Sequence, residues 1–86
     1  MLVIVATPIG NTEDISVRAI NYLRNANIIA CEDTRTTKKL LRLLGVEVVG
    51  KFIAYHDHNG ASVRPFLISE LEKDKLVVLV SDAGTP

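Results

Sequence analysis

Four polar clusters in this sequence carry side chains that could move a proton or bind a ligand, and each directly follows an apolar run. The clusters are Pro8 to Asn11, Glu32 to Arg35, His56 to Asn59, and Ser81 to Pro86. A neutral imidazole can take a proton from a hydroxyl, and a carboxylate can do the same. The candidate general bases are therefore His56, His58 and Asp33, and the sequence does not rank them.

Each cluster also has a structural interpretation. Glu32 and Asp33 are adjacent, so in most backbone conformations they point in different directions. One of them capping a helix, with Arg35 paired beside it, is the favoured interpretation. Pro8 to Asn11 fits an ordinary strand-to-helix turn as well as a ligand loop, and Asp82 can be a turn residue. The sequence contains neither G-x-G-x-x-G nor G-K-[ST], so neither a dinucleotide fingerprint nor a Walker phosphate loop is supported.

A metal site is the weaker interpretation of the histidine cluster. His56 and His58 flank Asp57, and on extended chain they could present two imidazoles on one side, with Cys31 as a third ligand. No fourth ligand has a recognisable spacing, so we predict no metal.

Basic residues recur at helical spacing after the second cluster. They are Arg35, Lys38, Lys39 and Arg42, which we call the basic stripe. A solvated helix face is the usual meaning of such a pattern. The more specific interpretation is a surface that binds the phosphates of RNA.

Short apolar runs alternate with amphipathic segments, which predicts parallel strands joined by helices. The predicted strands are Leu2 to Ala6, Asn27 to Cys31, a less certain one within Val46 to Tyr55, and Leu76 to Val80. Because parallel strands all point the same way, the four polar clusters should meet at one edge of the sheet. Ligands bind at that edge in open α/β sheets.

Three helices should connect these strands. Thr12 or Asp14 is predicted to cap the first, whose apolar side includes Leu23. The second should end at Gly45. The third should begin near Ser62. Its predicted first turn contains Pro65, and its predicted buried face consists of Val63, Phe66, Leu67 and Leu71.

Composition indicates one small globular domain. The chain has 86 residues, a formal net charge of zero and 48% hydrophobic residues. A lone cysteine fits a reducing compartment, and the opening apolar run is too short for a signal peptide or a membrane span. We therefore expect a soluble cytoplasmic protein without membrane partners.

The motifs together resemble one family. They are Val5 to Asn11 with Asp14 to Ser16, Ala30 to Arg35, Tyr55 to Asn59, and Val80 to Pro86. In this order they are similar to the successive signatures of the bacterial small-subunit ribosomal RNA ribose 2'-O-methyltransferases, within the tetrapyrrole methylase superfamily. The resemblance runs from the first residue to the last. Asp57 departs from it, since the family more often has Glu there, which keeps the charge.

The resemblance implies S-adenosylmethionine as methyl donor, a cytidine ribose 2'-hydroxyl of 16S rRNA in the small ribosomal subunit as acceptor, and a homodimer. It implies an α/β protein of two domains with the donor in the cleft between them. Residues 1–86 would then be the N-terminal part of a three-layer, parallel-sheet domain, without the second domain, and inactive alone. The residues expected at the donor are Pro8, Gly10, Asp82, Ala83, Gly84 and Thr85. The basic stripe is expected to contact RNA.

Two other classes of function are also compatible with the sequence. A methylase of the same superfamily with a different acceptor would keep the donor loops, and the basic stripe argues weakly against it. A non-enzymatic α/β binding module would keep the fold without the donor.

Overall fold

The computed structural model describes residues 1–7, 15–56 and 58–82. The strands are β1 (Leu2–Thr7), β2 (Ile28–Cys31), β3 (Lys51–Ala54) and β4 (Val77–Asp82). The helices are α1 (Val17–Asn25), α2 (Thr34–Leu43) and α3 (Gly60–Glu72). The alternation of strands and helices that the sequence predicts is confirmed.

The four strands form one sheet in the order β1-β4-β2-β3, and every neighbouring pair is parallel. Val77 on β4 pairs with Leu2 on one side and with Ile28 on the other, and Ile28 also pairs with Lys51. The last strand along the chain thus lies inside the sheet, and β1 and β3 form its edges.

Helices cover both faces of the sheet, which gives three layers. On one face, residues of α1 and α2 such as Leu23 and Leu41 pack with Ile29 and Val78 of the sheet. On the other face, Leu67 of α3 packs with Ala30 of β2. Side chains alternate along a strand, so each central strand contributes to both cores.

The first helix begins later than the sequence suggests. Its cap is Ser16, whose Oγ accepts a hydrogen bond of 3.0 Å from the backbone N–H of Ala19. The prediction of Thr12 or Asp14 as the cap is therefore wrong, and both of those residues lie outside the described ranges. A serine directly before Val17 can satisfy an unpaired N–H of the first turn, which is what a cap must do.

The third helix begins earlier than the sequence suggests. Its cap is Asn59, whose carbonyl accepts hydrogen bonds from the backbone N–H groups of Ser62 and Val63 at 3.1 and 3.0 Å. Pro65 consequently lies inside the helix rather than in its first turn. Proline has no N–H, so the carbonyl of Ala61 one turn earlier loses its helical partner.

The buried face of α3 also differs from the prediction. Leu67 is buried as expected, but Phe66 is 40% exposed. Glu70 takes a buried position instead, and its two carboxylate oxygens each lie 3.3 Å from an ammonium group, of Lys73 and Lys75. Burial by itself raises the pKa of Glu70, but the hydrogen bonds from Lys73 and Lys75 outweigh it and leave the pKa below its usual value.

The second helix ends where the sequence predicts, and the last strand extends beyond its predicted end. Gly45 follows α2 with a φ of 69°, which confirms it as the stop of that helix. β4 runs two residues further than predicted, because Ser81 and Asp82 continue the ladder opposite Ala6 and Thr7. The other residues of the predicted loop, 83–86, lie outside the described ranges. Among the described helices, none has the length and apolar character needed to cross a membrane.

The open edge at β1 is unusually apolar. β1 has six residues without a charge, whereas β3 at the other edge has four and begins with Lys51. Ile4 on β1 is 66% exposed. Natural sheets protect their edges with charges, prolines or short strands, and β1 has none of these.

We expect the isolated 86-residue chain to self-associate through β1. Ile4→Lys should shift the chain toward monomer, because a charge on the edge strand opposes pairing with a second copy. Light scattering across a concentration series measures this. Leu43→Lys is the control, since Leu43 is 69% exposed but lies on α2. A wild-type chain that stays monomeric at high concentration would contradict the expectation.

Candidate functional site

The carboxyl ends of all four strands lie along one edge of the sheet, in the order β1, β4, β2, β3. Thr7 at the end of β1 is paired with Asp82 at the end of β4. Cys31 at the end of β2 is paired with Val80 on one side and Ala54 on the other. The edge therefore has two halves: the exits of β1 and β4 are neighbours, and so are the exits of β2 and β3.

The diverging connections after β2 and β3 make their exits the place where a ligand crevice is expected. The chain leaves β2 for α2 on one face and leaves β3 for α3 on the opposite face. Where successive connections diverge in this way, the loops separate and leave room for a ligand. Asp33 lies two residues after the end of β2, and His56 lies two residues after the end of β3.

Asp33 is the N-cap residue of α2. Its Oδ1 accepts a hydrogen bond of 2.9 Å from the backbone N–H of Arg35, and the Arg35 Nε lies 3.5 Å from the same oxygen. That backbone hydrogen bond is the largest cause holding the pKa of Asp33 below its usual value, and the Arg35 charge adds to it. The structure confirms the capping interpretation, and a carboxylate stabilised in its ionised form is a weak proton acceptor.

A small cavity lies beneath the first turn of α2, at the ends of β2 and β4. Its lining residues are Cys31, Glu32, Asp33, Thr36, Thr37 and Val80. Thr37 and Cys31 are buried there, and Glu32 and Asp33 are exposed at its mouth. The cavity therefore lies at the end of β2 and reaches Val80, the β4 residue that is paired with Cys31.

The exit of β3 forms a hydrogen-bonded turn around His56. The backbone N–H of His56 donates to Asn59 Oδ1 at 2.8 Å, and the backbone N–H of Asn59 donates to the His56 carbonyl at 3.2 Å. Asn59 Nδ2 donates to the Ala54 carbonyl at 2.9 Å, which ties the turn to the end of the strand. The backbone N–H of His58 donates to His56 Nδ1 at 3.2 Å.

The role of Asn59 was not predicted from the sequence. The available signal was an asparagine three residues after His56, just before an amphipathic segment, because asparagine side chains bond to nearby backbone in turns. Asn59 also begins α3, so one residue fixes both the turn and the helix.

Every residue of the basic stripe is exposed. Arg35 lies at the edge that carries the site, and Arg42 lies about 10 Å further along the helix axis. Lys38 is placed over the ring of Phe52, with its Nζ 5.2 Å from the ring centroid. Lys39 and Arg42 form no ion pair with any of the residues described.

Most of the residues predicted at the donor lie outside the described ranges. They are Pro8, Gly10, Ala83, Gly84 and Thr85. Asp82 is described as the last residue of β4. Within the described ranges, no three His, Cys, Asp or Glu side chains are grouped so that they could share a metal ion.

Three proteins that are similar to this chain carry the same name. The chain is 48% identical over 85 residues to Ribosomal RNA small subunit methyltransferase I of Mesorhizobium japonicum, covering 99% of this chain and 28% of that protein. It is 48% identical over 85 residues to the protein of that name in Rickettsia prowazekii, covering 99% of this chain and 30% of the relative. For the Bacillus subtilis protein the identity is 45% over 86 residues, covering 100% and 29%.

The chain therefore spans less than a third of the length of these relatives. Its whole length, residues 1–86, matches the sequence profile of the Tetrapyrrole (Corrin/Porphyrin) Methylases. The parallel sheet, with helices on both faces and four motif-bearing strand ends at one edge, agrees with that match. The chain belongs to the tetrapyrrole methylase family.

Proposed function

We propose that the full-length protein transfers a methyl group from S-adenosylmethionine to a cytidine ribose 2'-hydroxyl of 16S rRNA. The observation that carries this proposal is the similarity, over essentially the whole chain, to proteins named Ribosomal RNA small subunit methyltransferase I. The geometry supports it, because one edge of the sheet gathers the strand ends that carry the motifs.

The donor would lie at the exits of β1 and β4. These two strands are paired up to Thr7 and Asp82, so their last residues lie about 4.8 Å apart. Two loops starting that close together can hold one ligand between them. The proposed contacts are Pro8, Gly10, Asp82, Ala83, Gly84 and Thr85. When bound, the donor supplies a methyl group on a positively charged sulfur.

The acceptor would lie toward the exits of β2 and β3. Methyl transfer of this kind is a direct displacement, so the main task of the protein is to align the ribose oxygen with the methyl group. The hydroxyl must also lose its proton, and His56, His58 and Asp33 are the candidate acceptors. The engagement of Asp33 as a helix cap makes it the weakest of the three.

The basic stripe would guide the RNA toward the crevice. In the full-length protein, Lys39→Ala with Arg42→Ala should weaken binding to the small ribosomal subunit, because both ammonium and guanidinium groups are exposed and unpaired among the described residues. Removing two phosphate contacts should also lower the slope of log K against log salt by about 1.5. Filter binding across a salt series measures both effects.

The matched control removes the same charge elsewhere. Arg24 and Lys51 are both exposed, and they lie at the end of α1 and the start of β3, which is the opposite edge of the sheet. Arg24→Ala with Lys51→Ala should leave RNA affinity and salt slope nearly unchanged. If both double variants lose RNA affinity equally, the basic stripe is a solvated helix face and not an RNA-binding surface.

The reaction itself is tested in cells. Mapping ribose methylation of 16S rRNA from a strain lacking the protein should show the loss of one 2'-O-methylcytidine, and the full-length gene should restore it. An unchanged methylation map would overturn the proposed acceptor. Titration of the full-length protein with S-adenosylmethionine separates the remaining cases, since absence of binding would leave only a non-enzymatic module.

The proposal includes a cytoplasmic homodimer, consistent with a ribosomal substrate. Light scattering of the full-length protein measures its assembly state, and a monomer would overturn that part alone.

A further inference from the structure

We propose that His56 acts in this site as a hydrogen-bond donor through Nε2–H, not as the general base, and that Asn59 is the residue that positions it. The inference rests on the proposed function for its substrate, an RNA, but its structural part concerns the imidazole alone. It assigns to His56 an acceptor oxygen of the RNA, on phosphate or ribose.

The hydrogen bond at Nδ1 determines which nitrogen of the neutral His56 ring carries the hydrogen. His56 Nδ1 accepts the hydrogen bond of 3.2 Å from the backbone N–H of His58. A neutral imidazole has one nitrogen that accepts and one that carries hydrogen. Because Nδ1 is the acceptor, the hydrogen is on Nε2.

The turn holds this arrangement in place. Asn59 bonds to both backbone groups of His56. The side-chain Oδ1 of Asn59 accepts from the backbone N–H of His56 at 2.8 Å, and the backbone N–H of Asn59 donates to the His56 carbonyl at 3.2 Å. Asn59 Nδ2 fixes the same turn to β3 through the Ala54 carbonyl at 2.9 Å. The backbone of His58 is thereby kept where its N–H meets Nδ1.

Packing adds to the constraint. The ring of His58 lies against that of His56, with centroids 5.8 Å apart and an angle of 64° between the planes. Rotating the His56 ring by half a turn would break the Nδ1 hydrogen bond and leave the His58 N–H without that partner. His56 is only half-buried, so it is accessible to a ligand at the exit of β3.

The consequence for the reaction follows from these bonds. The lone pair of Nδ1 is already used, and Nε2 carries a hydrogen, so the neutral ring has no nitrogen available to accept the hydroxyl proton. Nε2–H can instead bond to an RNA oxygen and hold the ribose in line with the methyl group. The hydroxyl proton then passes to another acceptor, which is His58, Asp33 or solvent.

The tautomer is tested directly in the full-length protein by long-range ¹H–¹⁵N NMR of labelled histidines. We expect His56 as the Nε2–H form and a mixture of tautomers in Asn59→Ala. Asn59→Asp keeps the Oδ1 acceptor for the His56 N–H, so it should retain the Nε2–H form if the alanine variant is poorly folded. Finding wild-type His56 as the Nδ1–H form would overturn the proposal.

The role is tested by comparing His56→Gln with His56→Ala in methyl transfer to small ribosomal subunits. A glutamine amide can donate a hydrogen bond near the position of Nε2, but it cannot accept a proton. His56→Gln should therefore keep kcat within about threefold of wild type, whereas His56→Ala should lose about tenfold or more. Equal, large losses in both folded variants would identify His56 as the base and overturn the proposal.

The two arms separate this inference from the proposed function. If the wild-type enzyme methylates no RNA, the proposed reaction fails, and the NMR result still decides the tautomer and the role of Asn59. If the wild type is active, the glutamine variant decides between donor and base.

Discussion

Replacing Gly50 with alanine should lower the free energy of unfolding by about 3 kcal/mol. A Cβ at this position would run into the carbonyl oxygen of Ala26 and lie 3.1 Å from the carbonyl carbons of Ala26 and Asn27. These are backbone atoms, so no side-chain rotation relieves the contact. Urea denaturation of wild type and variant measures the difference.

The backbone that the new Cβ meets is held on two sides. Ala26 is completely buried, and the N–H of Asn27 donates to the Leu76 carbonyl at 2.9 Å. The Asn27 carbonyl accepts from the N–H of Lys51 at 3.0 Å, directly beside Gly50. A shift large enough to admit the methyl group would loosen the start of β3 and its pairing with β2.

Gly45→Ala is the control. Gly45 has a φ of 69°, so alanine there is strained, but its Cβ would meet nothing within 4 Å. The expected loss is about 1 kcal/mol, from backbone conformation alone. If the two glycine variants lose equal stability, the close approach at Gly50 is not the cause.

Leu23→Ala should also lower the free energy of unfolding by about 3 kcal/mol. Leu23 has no exposed surface, and it belongs to the core between α1 and the sheet that also contains Val5, Ile29 and Val78. Truncation removes apolar contacts and leaves a cavity between α1 and the sheet. The hydrogen-bonded strands of the sheet cannot move to fill it. Thermal and urea unfolding both measure the loss.

The control for Leu23 is the same substitution at an exposed site. Leu43 on α2 is 69% exposed, so Leu43→Ala should change stability by less than about 0.5 kcal/mol. A similar loss at both positions would mean that the effect comes from helix propensity or the unfolded chain, not from the cavity.

The parallel sheet was predictable from the sequence because continuous apolar runs such as Val77 to Val80 have few alternatives to a buried strand. Once the strands are parallel, the polar segments that follow them must share an edge. The prediction that Glu32 or Asp33 caps α2 followed from local chemistry, and the structure shows that the cap is Asp33, directly before the first helical residue.

The helix starts were less predictable because several capping residues compete within a few positions. Ser16 caps α1 although Thr12 and Asp14 precede it, and Asn59 begins α3 although Ser62 follows it. Glu70 is buried against Lys73 and Lys75, which are three and five residues away in sequence, but their presence does not show that the turn after α3 folds them back onto the carboxylate. The hydrogen bond at His56 Nδ1 depends on the turn formed by Asn59, which pattern alone does not specify.

The position of β4 between β1 and β2 constrains the order in which the molecule can assemble. β1 pairs with no strand other than β4 in the described sheet, and the N-terminal amine donates to the Lys75 carbonyl across 74 positions of sequence. During synthesis, β2 and β3 can pair as soon as both have emerged, but β1 has to wait for β4. An apolar segment made first thus stays unpaired longest, and the nascent chain is most prone to aggregate just before β4 arrives.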